Sequence, residues 1–347
     1  MKRIGFYDAD VRLPSQVAAA VTDRKIPVLV IAAAIFLAAI PAAAALTGCA
    51  GSSPATQTSS SSSATQAGGH AGPGDYSFSL KEGALERTYL VHVPRAVAGK
   101  RSSPLVIIFH GGGGSARRMA SDYGWIPESD RQGFIAVFPD GVKGPGGLSA
   151  WNAGTCCGYP QKSGIDDVGF VRDIIRDLEA GFAVDRTRIF AAGFSNGGMF
   201  AYRLGCELSR QIKAVASVAG TDNDPGCEPA VPVSVLHIHA QNDENVPFKG
   251  GPGKGPLTGG NSFNSVDATI LKWVAADNLS GPPHRVLAKT GAYCDLYGST
   301  GGTRVELCVT STGGHSWPGG PAPAGSGATT SSAISATEMI WSFFAGS

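Results

Sequence analysis

Ser195 stands in Gly193-Phe194-Ser195-Asn196-Gly197, a Gly-x-Ser-x-Gly pattern. A serine hydroxyl is a weak nucleophile until a neighbouring base takes its proton, and the base works best when a carboxylate orients it. The chemistry this predicts is attack on an acyl carbon through a covalent intermediate. The pattern alone is weak, because chance gives about 0.6 matches in a chain so rich in Gly and Ser. Its setting is stronger. Residues 189–194 are an apolar strand segment and residues from 196 onward read as a helix. That is the strand–turn–helix elbow, in which small flanking residues permit a tight turn that lifts the Ser oxygen above the sheet edge. A Ser that only caps a tight turn is the alternative.

A nucleophile in such an elbow is followed along the chain by its acid and then its base. Asp243 lies in the loop directly after a strand at 233–239, and His315 lies in Gly313-Gly314-His315-Ser316-Trp317 after a strand near 305–309. The oxyanion formed on attack needs backbone donors held ready. His110-Gly111-Gly112-Gly113-Gly114 directly follows a strand at 105–109, so the N–H groups of Asn196 and near Gly112 are the expected pair, with His110 shaping the loop. No Lys-Ser/Thr or basic partner follows these glycines, which removes a phosphate-cradling reading.

The rival residues are few. His237 and His239 share one face of a strand and imitate a metal pair, yet the sequence offers no third ligand, so structural or supporting roles are expected. His92 and His284 have no evident partners. Asp222 and Asp224 follow an earlier strand, where turn or surface roles are expected. No metal and no organic cofactor is expected.

The elements that must position these residues show as an alternation. Residues 88–93 alternate like a half-buried strand, and 105–109, 134–138, 189–194, 214–219 and 233–238 are short apolar runs of the kind buried on both faces of a sheet. Residues 166–182, 196–208, 264–276 and 333–344 read as helices. The clearest has Val168, Val171, Ile175, Leu178 and Phe182 at helical spacing, with Asp166 or Asp167 able to cap it. This predicts an α/β fold with a mostly parallel sheet covered by helices on both faces, and ligands at the carboxyl ends of the strands.

The segments HGGGGSA (110–116), FPDG (138–141), WNAG (151–154), DDVGF (166–170), GFSNGGMFAYRL (193–204), NDENVP (242–247), GGHSWPG (313–319) and IWSFF (340–344) stand in register. Together, over about residues 76–345, they resemble the polyhydroxybutyrate depolymerase-like esterases, a family that also includes feruloyl and acetylxylan esterases and lipobox-bearing members. The resemblance implies a single-domain α/β-hydrolase fold and carries a Ser-His-Asp mechanism onto Ser195, His315 and Asp243. Where this chain has Gln241-Asn242 before the acid, the family more often has Gly-Thr. Asp243 still aligns ahead of Val246-Pro247, with Glu244 as the fallback. Trp151 and Trp317 are similar to family positions that line the substrate cleft, and packing is the equal alternative for each.

Composition narrows the partners. With 28 Lys+Arg against 27 Asp+Glu and only 16% charged residues, the chain has no electrostatic footprint for nucleic acid. Its 48 Gly and 22 Pro show no collagen period and fall short of a low-complexity composition. Residues 26–46 are almost purely apolar, follow Arg24-Lys25 and end in Leu46-Thr47-Gly48-Cys49. This is the layout of a secretory signal, and its last four residues resemble the bacterial lipobox. The expected organisation is a lipoprotein signal over 1–48, lipid attachment at Cys49, a flexible Ser/Thr/Gly-rich tether over 49–75, and the catalytic domain over 76–347. An uncleaved signal anchor and plain secretion are the alternatives. Acidic residues ahead of Arg24 point to a later start, for example at Val21.

Export into an oxidising compartment suits the six cysteines that remain beyond Cys49. Cys206–Cys227 and Cys294–Cys308 fit by separation, while Cys156 and Cys157 either bridge each other or take two separate partners. The expected function is an extracellular serine esterase, tethered to the outer face of the cell membrane by its lipid, that hydrolyses hydroxyalkanoate oligomers, feruloyl or acetyl esters. Its activity should fall in acid as His315 protonates. An acyltransferase acting on a cell-envelope acceptor and a non-catalytic surface-binding lipoprotein on the same scaffold are the alternatives.

Overall fold

The structure, a computed structural model, describes residues 72–255, 258, 260–321 and 329–347. The expected signal, Cys49 and most of the tether lie outside these residues.

In chain order the elements are β1 (Gly74–Glu82), β2 (Leu85–Val93), β3 (Ser103–Phe109), α1 (Ala116–Asp122), α2 (Trp125–Gln132), β4 (Ile135–Pro139), β5 (Val142–Lys143), β6 (Ser149–Ala150), α3 (Gly158–Lys162), α4 (Asp167–Gly181), β7 (Val184–Phe194), α5 (Asn196–Glu207), β8 (Ala214–Val218), β9 (Ser234–Ala240), β10 (Gly251–Pro252), β11 (Ser262–Phe263), α6 (Val266–Ala276), β12 (His284–Lys289), β13 (Ala292–Gly298), β14 (Arg304–Thr310) and α7 (Ala336–Ala345). One ten-stranded sheet carries the fold, in the order β1-β2-β4-β3-β7-β8-β9-β14-β13-β12. Strands β4, β3, β7, β8, β9 and β14 run parallel at its centre, and antiparallel hairpins close both flanks.

The continuous apolar run of β3 is explained by burial on both faces. Leu105, Ile107 and Phe109 pack with Ile174 of α4, Phe200 of α5 and Trp273 of α6, whereas Val106 and Ile108 pack with Met119 of α1, Trp125 of α2 and Ile340 of α7. Side chains alternate across a strand, so one short run feeds two cores. Capping side chains set where the helices begin. Asp166 accepts from the Gly169 N–H, Ser265 from that of Ala268 and Ser335 from that of Glu338, so the last two helices start two and three residues later than their apolar spacing suggests.

The flanking strand β1 supplies a partner that the sequence did not show. Asp75 sits directly across from His92, with Oδ1 2.6 Å from Nδ1, and Asp130 lies 3.3 Å from Nε2. Three disulfides are present among the described residues. Cys206 joins Cys227, Cys294 joins Cys308 across the β13–β14 ladder, and Cys156 joins Cys157. Glu306 approaches Cys294 and Cys308, but bridged sulfurs offer no thiolate to a metal. Among the described residues no helix is long and apolar enough to cross a membrane.

One buried carboxyl gives a stability prediction. Asp277, just after α6, accepts from the Val233 N–H at 3.0 Å with Oδ1, while its buried Oδ2 has no hydrogen-bond partner among the described residues. Burial pushes its pKa up to about 6, against the opposing pull of the Val233 N–H. A carboxyl with a raised folded pKa adds stability below its ordinary value of 3.8 and loses it as the pH rises through about 6. Above that the buried charge is a net cost. Asp277→Asn keeps the Oδ1 acceptor and removes the charge, so melting at pH 8 should rise by about 2–4 °C with little change at pH 4. Thermal denaturation at the two pH values checks it.

Candidate active site

The elbow is a product of close approach. Ser195 has φ 54° and ψ −121°, a conformation that non-glycine residues rarely adopt. Its N–H donates to Val218 O at 2.8 Å and its carbonyl accepts from Met199 N at 2.9 Å, so β8 and the first turn of α5 hold the strain in place. A Cβ on Gly193 would strike the Gly197 carbonyl, and one on Gly197 would lie 2.5 Å from the carbonyl oxygens of Phe109 and His110. The two glycines are therefore required by strand and helix backbones in near contact.

His315, in the loop after β14, places Nε2 2.8 Å from Ser195 Oγ and Nδ1 2.8 Å from Asp243 Oδ2. Asp243 follows β9, and its Oδ1 accepts from the N–H groups of Asn245 at 2.8 Å and Val246 at 3.0 Å. Burial works to raise the Asp243 pKa. Hydrogen bonds from His239 and His315 outweigh it and hold the carboxyl well below the usual carboxylate range. Asn242, where the family more often has Thr, accepts from the Gly314 N–H at 2.9 Å and ties the acid loop to the histidine loop.

The structure separates the rival acids from this cluster. Glu244 is 70% exposed and pairs with Lys254 at 3.0 Å. Asp222 serves a turn, as expected, its Oδ1 accepting from the Asp224 N–H at 3.0 Å, and it is also buried: Lys272 lies 2.7 Å from its Oδ2 and Trp273 Nε1 donates to the same atom at 2.9 Å. Asp224 serves a turn too, accepting from the Gly226 N–H. His284 opens β12 and is exposed. His237 and His239 are buried on β9, hydrogen-bonded to each other at 2.9 Å.

Asn196 directly follows Ser195, and the glycine loop that holds Gly112 backs onto the elbow through Gly111. The Asn196 side chain accepts from Trp151 N at 2.7 Å and donates to Trp151 O at 3.0 Å, a two-point lock on the first residue of α5. His110 Nε2 accepts from the Gly141 N–H at 2.9 Å, so its other nitrogen carries the proton and donates to Gly111 O at 2.8 Å. Burial pushes the His110 pKa down and keeps it neutral. The Gly113 N–H is anchored on Ser149 O at 2.7 Å. Gly111 backs onto the elbow so closely that a Cβ there would lie 2.9 Å from the Phe194 ring. Gly112 borders a cavity of about 200 Å³ whose walls include Met119, Tyr123, Phe194 and Trp317.

The two tryptophans divide between the expected alternatives of packing and cleft wall. Trp151 is fully buried, stacks on Phe200 with ring centroids 5.3 Å apart, and donates from Nε1 to His110 O at 2.9 Å. It supports the glycine loop from beneath, because an indole with both faces packed has nothing left for a substrate. Trp317 is only 1% exposed and donates to Thr337 Oγ1 at 3.1 Å, but its ring borders the cavity. Tyr123, Phe194 and Asn242 belong to the site as well. Tyr123 lies in the short link between α1 and α2, where no local pattern marks it.

No protein-family model matches the chain. It is 33% identical over 240 residues to feruloyl esterase B of Piromyces equi, covering 66% of this chain and 42% of that protein, so it spans under half of that relative's length. It is 30% identical over 253 residues to the putative esterase NocK of Nocardia uniformis subsp. tsuyamanensis, covering 68% of this chain and 72% of that protein. Among solved structures, an acetyl xylan esterase from Aspergillus awamori superposes with a TM-score of 0.54 at 11% identity, over 78% of this chain and 99% of that one. That likeness concerns the fold. The sequence relationship and the sheet order together place this chain in the esterase family of NocK and feruloyl esterase B, on an α/β-hydrolase fold.

Proposed function

We propose that the chain is a serine carboxylic-ester hydrolase. The observation that carries this reading is the unbroken line from Ser195 Oγ through His315 to Asp243 Oδ2, each step 2.8 Å. His315 Nε2 takes the Ser195 proton as Oγ attacks the ester carbonyl, and Asp243 holds Nδ1–H so that Nε2 remains the acceptor. The N–H groups of Asn196 and Gly112 face the oxyanion. His315 then returns the proton to the departing alcohol, and a water deprotonated the same way releases the acid. None of these steps calls on a metal or an organic cofactor.

The cavity beside Gly112, with Tyr123, Phe194 and Trp317 in its walls, supports a compact or aromatic acyl group. Acetyl, feruloyl and hydroxyalkanoate esters fall in that range. The lipobox-like Leu46-Thr47-Gly48-Cys49 supports an extracellular enzyme held on the membrane by a lipid on Cys49, with 49–75 as tether and 76–347 as catalytic domain. Three disulfides favour the same oxidising compartment.

Purified protein should be tested against short nitrophenyl esters, feruloyl esters, acetylated sugars and hydroxybutyrate oligomers. A fluorophosphonate probe should stop turnover and be found on the Ser195 peptide by mass spectrometry. Labelling elsewhere, or no hydrolysis of any ester, overturns the reading.

A further inference from the structure

Behind Asp243 a second line of hydrogen bonds runs into the core. The Tyr202 hydroxyl lies 2.7 Å from His237 Nδ1, and His237 Nε2 lies 2.9 Å from His239 Nδ1. His239 Nε2 lies 2.8 Å from Val246 O and 3.3 Å from Asp243 Oδ2. Tyr202, His237 and His239 are at most 1% exposed. The two imidazoles stack, with ring centroids 5.1 Å apart.

The sense of each bond follows from its end. A carbonyl and a carboxylate can only accept, so His239 Nε2 carries the hydrogen. With that single ring hydrogen His239 has a bare Nδ1, which takes a hydrogen from His237 Nε2. His237 Nδ1 is bare in turn and accepts from Tyr202. Burial, with His239 beside it, pushes the His237 pKa well down, and burial raises that of Tyr202, so both stay neutral in this arrangement. One tautomer of each ring satisfies the whole line, and every donor points toward Asp243.

We infer that His239, set by His237 and Tyr202, is a positioning residue for the acid, donating its Nε2–H to the same Asp243 oxygen that accepts from His315. This rests on the esterase reading above. Asp243 Oδ1 is already held by two backbone N–H groups. His239 acts on Oδ2, dividing that oxygen's charge between two imidazoles. Without it Oδ2 draws harder on His315, favours the imidazolium, and leaves less free base at a given pH. No proton travels along the line. The titratable groups that face it are Tyr202 from α5, Asp243 and His315 from their loops and, behind Tyr202, Asp222 paired with Lys272 of α6. The paired neighbours on β8 and β14 are Ser217, Leu307 and Val309, which carry no charge.

His239→Leu removes the donor, and His239→Gln restores one near the position of Nε2. Both should be compared with wild type on a nitrophenyl ester across pH, with melting curves on the same preparations. For His239→Leu, kcat should fall about tenfold, KM should stay within about twofold, and the acid limb of kcat/KM should move up by about half a pH unit. His239→Gln should recover most of both, and Tyr202→Phe should move the limb the same way by less. An acid limb that stays put or moves down in His239→Leu, or a Gln variant no better than Leu, overturns the inference. If His239→Leu does not fold, Tyr202→Phe decides, since it removes one oxygen only, and an unmoved limb there is equally fatal. Wild-type protein without hydrolysis, or Ser195→Ala with it, would instead sink the esterase reading.

Discussion

Ser195→Ala should lower kcat/KM for a short nitrophenyl ester by about ten-thousand-fold or more while the protein stays folded. In the proposed mechanism the hydroxyl is the atom that bonds to the acyl carbon, and nothing else beside His315 Nε2 can replace it. Alanine keeps the Cβ, so the elbow's conformation at φ 54° and its backbone bonds to Val218 and Met199 are unchanged. Ser195 is buried but borders the site, and the only side-chain hydrogen bond its Oγ makes among the described residues is to His315. Its loss should therefore leave the melting temperature within about 2 °C of wild type. The residual rate reports what the glycine loop and substrate binding do unaided. Turnover equal to wild type refutes the mechanism, and a collapse of the melting transition makes the loss uninformative about chemistry, which is why both are measured on one preparation.

The parts of this site that could be read from sequence are those fixed by short-range pattern. The parallel strands are buried on both faces, so each shows as a local apolar run, as in Leu105 to Phe109, and the segments directly after them carry Ser195, Asp243 and His315. What stayed hidden has a different physical origin. Strand β1 alternates only between partly buried and exposed residues, which leaves a weak signal. Helix α1 has seven residues, too few to repeat a helical face twice, and α2 has eight and carries Pro127 near its start. The family resemblance leaves Trp151 equally open to a cleft or a packing role. Its place under the glycine loop is set by His110, 41 positions away, and Asn196, 45 positions away. The same holds for Asn242, whose partner Gly314 is 72 residues on. The alternation of His237 and His239 was visible, but Tyr202, which ends their hydrogen-bonded line, comes from another element.

Asp243→Asn should cost about as much as losing the serine in kcat, again near ten-thousand-fold at neutral pH. The direction of the effect follows from who donates to whom. Oδ1 faces two backbone N–H groups and must remain an oxygen, so the asparagine's nitrogen falls where Oδ2 was, facing His315 Nδ1 and His239 Nε2. A donor there forces His315 to accept at Nδ1 and carry its proton on Nε2, the nitrogen that must be bare to receive the Ser195 proton. The same change has a stability signature with a defined sign. A carboxyl whose folded pKa is depressed stabilises the fold above its unfolded value and loses that contribution as the pH falls through the folded one. The asparagine variant should thus melt below wild type at pH 7, with the gap closing below about pH 4. Glu244→Gln, changing an exposed carboxylate paired with Lys254, should leave kcat within about twofold. Rates and melting curves for both variants settle the assignment: an active Asp243→Asn beside an inactive Glu244→Gln would move the acid to Glu244.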